Sequence, residues 1–241
     1  MIKAVTFDLW STLLCAKEYE VSRSKIMLEV LEESGFLREN ATVINSYEDT
    51  LVHFSDLWEK EKKYHVISAK KMVEFMLTRL HVSLPMSSVE RIAKGFEETI
   101  LSDLPPLEEG ARKILKHLKD SRKIGLISNT GVTPGRILRR VLDRLEILEC
   151  IDCTIFSDEI GYTKPHALPF RKAVEQLQVK PYEAIHVGDL LHTDVVGAKR
   201  FGMKAVWINR NIDVAESDLK PDYKVEKLSQ LLEILAALTR S

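Results

Sequence analysis

Cysteine is scarce. The 241-residue chain has three, Cys15, Cys150 and Cys153, too few for a disulfide framework. Cys150 and Cys153 form a C-x-x-C, but no second pair stands at zinc-site spacing, and the motif leads into the strand-like Thr154-Ile155-Phe156 rather than opening a helix. Both are therefore read as buried structural thiols. Charge of one sign is also lacking. Lys and Arg number 35 against 36 Asp and Glu, for a net charge of −1, so nothing calls for nucleic acid or an anionic membrane as partner. No uninterrupted apolar run is long enough to span a bilayer. The opening MIKAVTFDLW has neither the apolar core nor the small-residue cleavage site of a signal peptide. Repeats, low-complexity tracts and long linkers are absent. Asn and Gln are sparse beside Lys, Arg and Glu, a balance that fits a thermophilic source. The expectation is a soluble, cytoplasmic protein whose oligomeric state the sequence leaves open.

The chain has 45% apolar and 29% charged residues, an ordinary globular composition with enough length to bury its own core. Residues 2–7 form an apolar, β-branched run that ends at Asp8, the pattern of a buried parallel strand. From Glu18 to about Leu101 the period changes. Apolar residues recur at spacings of three and four: Ile26, Val30 and Leu31; Leu51, Phe54, Leu57 and Trp58; Met72, Phe75, Met76 and Leu80; Val89, Ile92, Ala93 and Phe96. These predict amphipathic helices, broken at Gly35, Ser68 and Leu84-Pro85. Tyr47, Phe54, Trp58 and Tyr64 could line a substrate face, but such a stripe is more simply the packed interior of a bundle, the reading adopted for Phe54 and Trp58.

After Leu104-Pro105-Pro106 helices and strands alternate. Helices are predicted over 108–119, 134–145, 169–177, 193–201 and 228–238, and strands over 124–127, 153–156, 184–187 and 205–208. This alternation implies right-handed crossovers and a parallel sheet covered on both faces. The first strand joins that sheet only if the helical stretch is an insertion.

Ligands of open α/β sheets bind at the carboxyl ends of the strands. The first strand ends Asp8-Leu9-Trp10-Ser11-Thr12 and the second Ser128-Asn129-Thr130-Gly131. The third is followed by Ser157-Asp158-Glu159 and then Gly161-Tyr162-Thr163-Lys164-Pro165. The fourth ends Gly188-Asp189, with Asp194 five residues beyond. Carboxylates gathered in one crevice repel unless a cation neutralises them, and Mg²⁺ suits such oxygen ligands.

These four segments, in this order, resemble the haloacid dehalogenase-like hydrolase superfamily, over residues 2–208. The resemblance implies an α/β fold, a Rossmann-like parallel-sheet core (1–14 and 103–241) carrying an inserted α-helical cap (15–102). Closure of such a cap would exclude water and select the substrate. It further implies that Asp8 is the nucleophile, that Ser128 contacts phosphate with Asn129 as helper, and that Lys164 steadies both nucleophile and transferring group. Asp8, the Trp10 backbone carbonyl and Asp189 would hold Mg²⁺, with Asp194 behind them as a further ligand, a water-mediated one, or an orienter of Lys164. The implied activity is a Mg²⁺-dependent phosphatase acting on a small phosphorylated metabolite through an aspartyl-phosphate.

Trp10 departs from the pattern. The family's phosphatases commonly have a second Asp there, which protonates the leaving alkoxide; an indole cannot. General acid–base help is worth about a hundred- to ten-thousand-fold, so Trp10 implies a slow phosphatase, one restricted to good leaving groups, or one whose acid comes from elsewhere, with His192 and His166 as candidates. The family's haloacid dehalogenases have an aromatic residue at this place and use no metal. That alternative is disfavoured by the intact Gly188-Asp189…Asp194 segment, whose charge would repel an anionic haloacid. A binding or regulatory protein that keeps the pocket without turnover is the third reading.

Overall fold

The computed structural model describes residues 1–61, 67–209 and 219–240. In chain order the elements are β1 (Ala4–Phe7), α1 (Glu20–Glu33), α2 (Asn40–Glu61), α3 (Ala69–Arg79), α4 (Met86–Ser102), α5 (Ala111–Lys119), β2 (Lys123–Ser128), α6 (Gly135–Arg144), β3 (Cys153–Phe156), α7 (Ser157–Ile160), α8 (Ala167–Leu177), β4 (Ala184–Gly188), α9 (Val196–Phe201), β5 (Lys204–Ile208), β6 (Tyr223–Val225) and α10 (Leu231–Arg240). They form two compact units. One comprises Met1–Ala16, Pro105–Asn129 and Leu142–Ser241; the other comprises Lys17–Leu104 with Thr130–Val141. Among the described residues no helix is long and apolar enough to cross a membrane.

The first unit is built on a six-stranded sheet in the order β3-β2-β1-β4-β5-β6, parallel throughout. β1 lies beside β2 on one side and β4 on the other, so the strand order reverses at the β1–β4 pair, where open α/β sheets form their ligand crevice. β1 is buried along its whole length, which accounts for its mostly apolar character. One face of the sheet contributes Ala4, Ile127, Ile155, Ala184 and Ala205 to a core shared with Phe170, Ala173 and Leu177 of α8 and Ala198 of α9. Cys150 and Cys153 are buried free thiols. Burial, then the neighbouring Asp152 charge, pushes the Cys153 thiol up to about 12, which leaves it inert.

The sixth strand went unread in the sequence. β6 is a three-residue edge strand, only partly buried, too short to show a period. The helix expected over 193–201 is also modified: Leu191–Val195 forms a π-helical turn before α9 begins. Such turns re-aim side chains and are common beside functional sites.

The breaks between helices in the second unit fall where the sequence placed them. Gly35 takes φ +83° just after α1, the Ser68 hydroxyl caps α3 by accepting from the Lys71 amide, and Pro85 precedes α4. Met27, Leu31, Met72, Met76, Ile92 and Phe96 fill the core between these helices. Tyr47 belongs to that interior, edge-on to Phe96 at 5.9 Å. It accepts a hydrogen bond from buried Arg23, which also donates to the Phe96 carbonyl and Thr133. Phe54 is only half-buried, packed with His53 and Phe75, so its assignment to the bundle interior holds in part. The Trp58 side chain and Tyr64 lie outside the described residues.

Gly197 of α9 packs closely on α8. A Cβ there would stand 2.5 Å from the Phe170 ring and 3.1 Å from the Pro165 Cα. Gly197→Ala should therefore destabilise the protein by about 1–3 kcal/mol, the usual cost of overpacking. Urea unfolding checks this, and an unchanged midpoint would contradict the packing described.

Candidate active site

The β1–β4 ladder continues one residue past β1, because the Asp8 amide donates to the Val187 carbonyl at 2.9 Å. Register pairs Phe7 with Leu126 on one side and with Val187 on the other. Asp8, Ser128 and Asp189 thus emerge at the tips of three adjacent strands. Past Asp8 the chain turns back on itself. Ser11 adopts a left-handed φ of +54° and its amide donates to the Leu14 carbonyl at 2.7 Å, while Leu14 bridges to Trp10 and Leu107.

Lys164 reaches this point from the loop after α7. Its side chain is 2% exposed and its ammonium donates to Asp8 Oδ1 at 2.5 Å, Asp194 Oδ1 at 2.7 Å and the Ile127 carbonyl at 2.8 Å. Its three protons match these three acceptors, the condition under which a buried ammonium is tolerated. Asn129 fixes the backbone that delivers it: Asn129 Oδ1 accepts from the Lys164 amide at 2.7 Å and Nδ2 donates to the Lys164 carbonyl at 3.2 Å. Asn129, read from the sequence as a phosphate helper, thus spends its amide on the lysine loop. The buried Ser128 hydroxyl donates to the Asn129 carbonyl over a long 3.4 Å, a weak bond from which its one proton can be turned to a better acceptor.

Asp194 is held from several directions. Oδ1 faces both Lys164 and His186 Nε2 (3.2 Å), and Oδ2 accepts from the Leu190 amide at 3.0 Å. Gly188 makes room for it: a Cβ there would fall 2.3 Å from the Asp194 carboxyl carbon. The Asp189 backbone is anchored by Trp207, whose indole donates to its carbonyl at 2.8 Å. Of the two histidines considered as replacement acids, His192 is exposed. His166 caps α8, its Nδ1 accepting from the Leu168 amide at 3.1 Å, and its ring stacks on Tyr162.

The haloacid dehalogenase-like hydrolase profile matches residues 2–202. The chain belongs to that family. A glyceraldehyde 3-phosphate phosphatase from Pyrococcus furiosus is 33% identical over 240 residues, spanning 97% of this chain and 93% of the relative. The crystal structure of a haloacid dehalogenase-like phosphatase from Thermococcus onnurineus superposes with a TM-score of 0.65 at 26% identity, over 97% of this chain and 98% of the other. A 2-haloacid dehalogenase from Pseudomonas syringae gives a TM-score of 0.72 at 22% identity, over 99% and 100% respectively, a likeness of fold alone.

In this family member Asp8, Asp189 and Asp194 each bring a carboxylate oxygen within 4.8 Å of the others. Lys164 pairs with two of them, Asp8 and Asp194. Burial, with Asp194 and Asp189 adding repulsion, raises Asp8 from 3.8 to about 7 despite the opposing pull of Lys164. Burial also works against ionised Asp194, but Lys164 and His186 outweigh it and hold that carboxyl below its ordinary value. Lys164 is likewise held above its ordinary value, with burial outweighed by Asp194 and Asp8. Carboxylate oxygens gathered this closely are hard ligands, a donor set that fits Mg²⁺.

Asp8 binds its proton more tightly in the folded chain than in the unfolded one. The stability this provides is complete below about pH 4 and is lost as pH rises through about 7. The metal-free Asp8→Asn variant should therefore gain stability over the parent as pH goes from about 5 to about 8. Urea midpoints in EDTA measure this; an Asn variant no more stable relative to the parent at pH 8 than at pH 5 would contradict it.

Proposed function

We propose that this chain is a Mg²⁺-dependent phosphatase of small phosphorylated metabolites in which Asp8 is the nucleophile. The observation that carries the reading is the carboxylate cluster itself: Asp8, Asp189 and Asp194 bring ligand oxygens within 4.8 Å of one another at the strand tips, beside Lys164. The phosphatase names of the Pyrococcus relative and the Thermococcus structure point the same way. The free thiols fit a reducing cytoplasm. The helical stretch between β1 and β2 is taken as the family's inserted cap, residues 15–102.

In this reading an Asp8 carboxylate oxygen attacks phosphorus, the bond from phosphorus to the leaving oxygen breaks, and water then hydrolyses the aspartyl-phosphate. Lys164 orients Asp8 and balances charge on the transferring group. Ser128 donates its hydroxyl proton to a phosphate oxygen, and Asn129 serves indirectly by holding the lysine loop. Asp8, the Trp10 carbonyl and Asp189 would hold Mg²⁺, which when bound supplies positive charge against the phosphate oxygens. Asp194 acts behind them through Lys164.

The second reading, a metal-independent 2-haloacid dehalogenase, is favoured by Trp10, since a halide leaves without a proton. A panel assay separates the two: phosphate release from aryl and sugar phosphates, and halide release from 2-haloacids, each with Mg²⁺ or with EDTA. Phosphate release that stops in EDTA is expected, with Asp8→Asn lowering it at least about a thousandfold. Halide release unaffected by EDTA would replace the phosphatase with the dehalogenase.

Trp10 sets a further expectation. With no acid at this position, negative charge develops on the departing oxygen. Single-turnover phosphorylation of Asp8 should then slow steeply as leaving-group pKa rises, and Trp10→Asp should flatten the slope by aiding alkyl phosphates most. A flat slope in the parent would show that a proton donor stands elsewhere.

A further inference from the structure

A buried polar group stands inside the sheet. His186 sits in the middle of β4, and Thr6 faces it from β1 at the same register. Both side chains point into the face covered by α8, where the His186 ring stands edge-on to Phe170 at 5.3 Å. Thr6 is 0% and His186 1% exposed. Two polar side chains in an apolar core cost stability unless each is hydrogen-bonded. Here they are bonded to each other, and the pair leads directly to the candidate site: Thr6 Oγ1 lies 2.9 Å from His186 Nδ1, and His186 Nε2 lies 3.2 Å from Asp194 Oδ1.

We infer that Thr6 and His186 form a buried lock that fixes the Asp194 carboxylate, and through it the Lys164 ammonium, in the orientation that presents Asp8 for attack. This rests on the reading of Asp8 and Lys164 given above. The two are positioning residues, because neither touches the reacting atoms. The chemistry of the chain of contacts assigns every proton. Asp194, which accepts from Lys164 and from the Leu190 amide, is a carboxylate and can only accept. His186 must therefore present an N–H at Nε2. Burial favours the neutral ring over the cation, so Nδ1 carries a lone pair and the Thr6 hydroxyl donates to it. The hydroxyl thereby selects the tautomer, and the tautomer supplies Asp194 with a donor directed from inside the sheet. Asp194 Oδ1 is then bonded both to the ring beneath it and to Lys164. Without the ring, that oxygen loses its anchor in the sheet and Lys164 loses a fixed partner opposite Asp8. Removal of a group that orients a site residue from behind typically costs about 10- to 100-fold in activity or metal affinity.

The test uses the full chain with Mg²⁺ and p-nitrophenyl phosphate. His186→Leu should lower kcat about 10- to 100-fold with KM changed less than about threefold. His186→Gln, whose amide N–H can reach the place of Nε2–H, should recover most of the loss. Thr6→Val keeps the shape but removes the hydroxyl, and should give a smaller loss. Added to His186→Leu it should cost nothing further, since both act through one contact. Independently of activity, the ¹⁵N spectrum of the His186 imidazole should show a neutral ring with its proton on Nε2, a preference that weakens in Thr6→Val. A proton on Nδ1 in the parent would overturn the inference. So would parent-like kcat in His186→Leu, or a folded His186→Gln as slow as the Leu variant. Should His186→Leu not fold, the Gln variant and the spectrum decide. Should the parent release halide rather than phosphate, the proposed function fails instead, and the same variants are compared on halide release.

Discussion

A buried ammonium organises this molecule. Lys164 has almost no contact with solvent, and a charge so placed is stable only if every proton finds an acceptor and an opposite charge stands close by. Its acceptors come from three places: the end of β1, the end of β2 and the turn after β4. Meeting that requirement draws the strand tips together. The supporting details serve the same end. Asn129 grips the lysine backbone by both ends of its amide. Gly188 omits the side chain that would collide with Asp194, and the π-helical turn carries Asp194 back toward the sheet.

Lys164 does not settle both of its carboxylates alike. Lys164 and His186 hold Asp194 below its ordinary value against burial, while burial, with repulsion from Asp194 and Asp189, raises Asp8 to about 7. A nucleophile must be ionised to attack, and an anionic substrate would meet repulsion from Asp189. In the proposed function a bound divalent cation would ease both difficulties at once. In the proposed mechanism the Trp10 side chain bears on the protonation of the leaving group, and the other groups of the site serve the attack on phosphorus.

How much of this was legible in the sequence follows from how each feature is encoded. β1 and β4 announce themselves because strands buried on both faces need mostly apolar runs, and Asp8 and Asp189 stand out where those runs stop. Helix breaks at Gly35, Ser68 and Pro85 are local chemistry and were readable as such. β6 was missed because three edge residues show no period. The bond between Asn129 and the Lys164 backbone was not legible, because its partner is thirty-five positions away, which no local pattern records. His186 left a signal that went unused: a lone imidazole inside the run Ala184-Ile185-His186-Val187. Its partners, Thr6 and Asp194, come together only through strand pairing and the turn after β4. The sequence thus displays the groups exposed at strand tips more readily than the buried groups that hold them.

The central claim is that Asp8 forms a covalent bond to phosphorus during turnover. Acid-quenching the Mg²⁺-loaded protein with a fast-reacting aryl phosphate and sequencing its peptides by mass spectrometry tests this directly. The account predicts a phosphoryl group on the peptide containing Asp8, confined to that side chain and absent when substrate is omitted. Unmodified Asp8 in samples quenched during a demonstrated burst of leaving-group release, or a phosphoryl group on another residue, would contradict it.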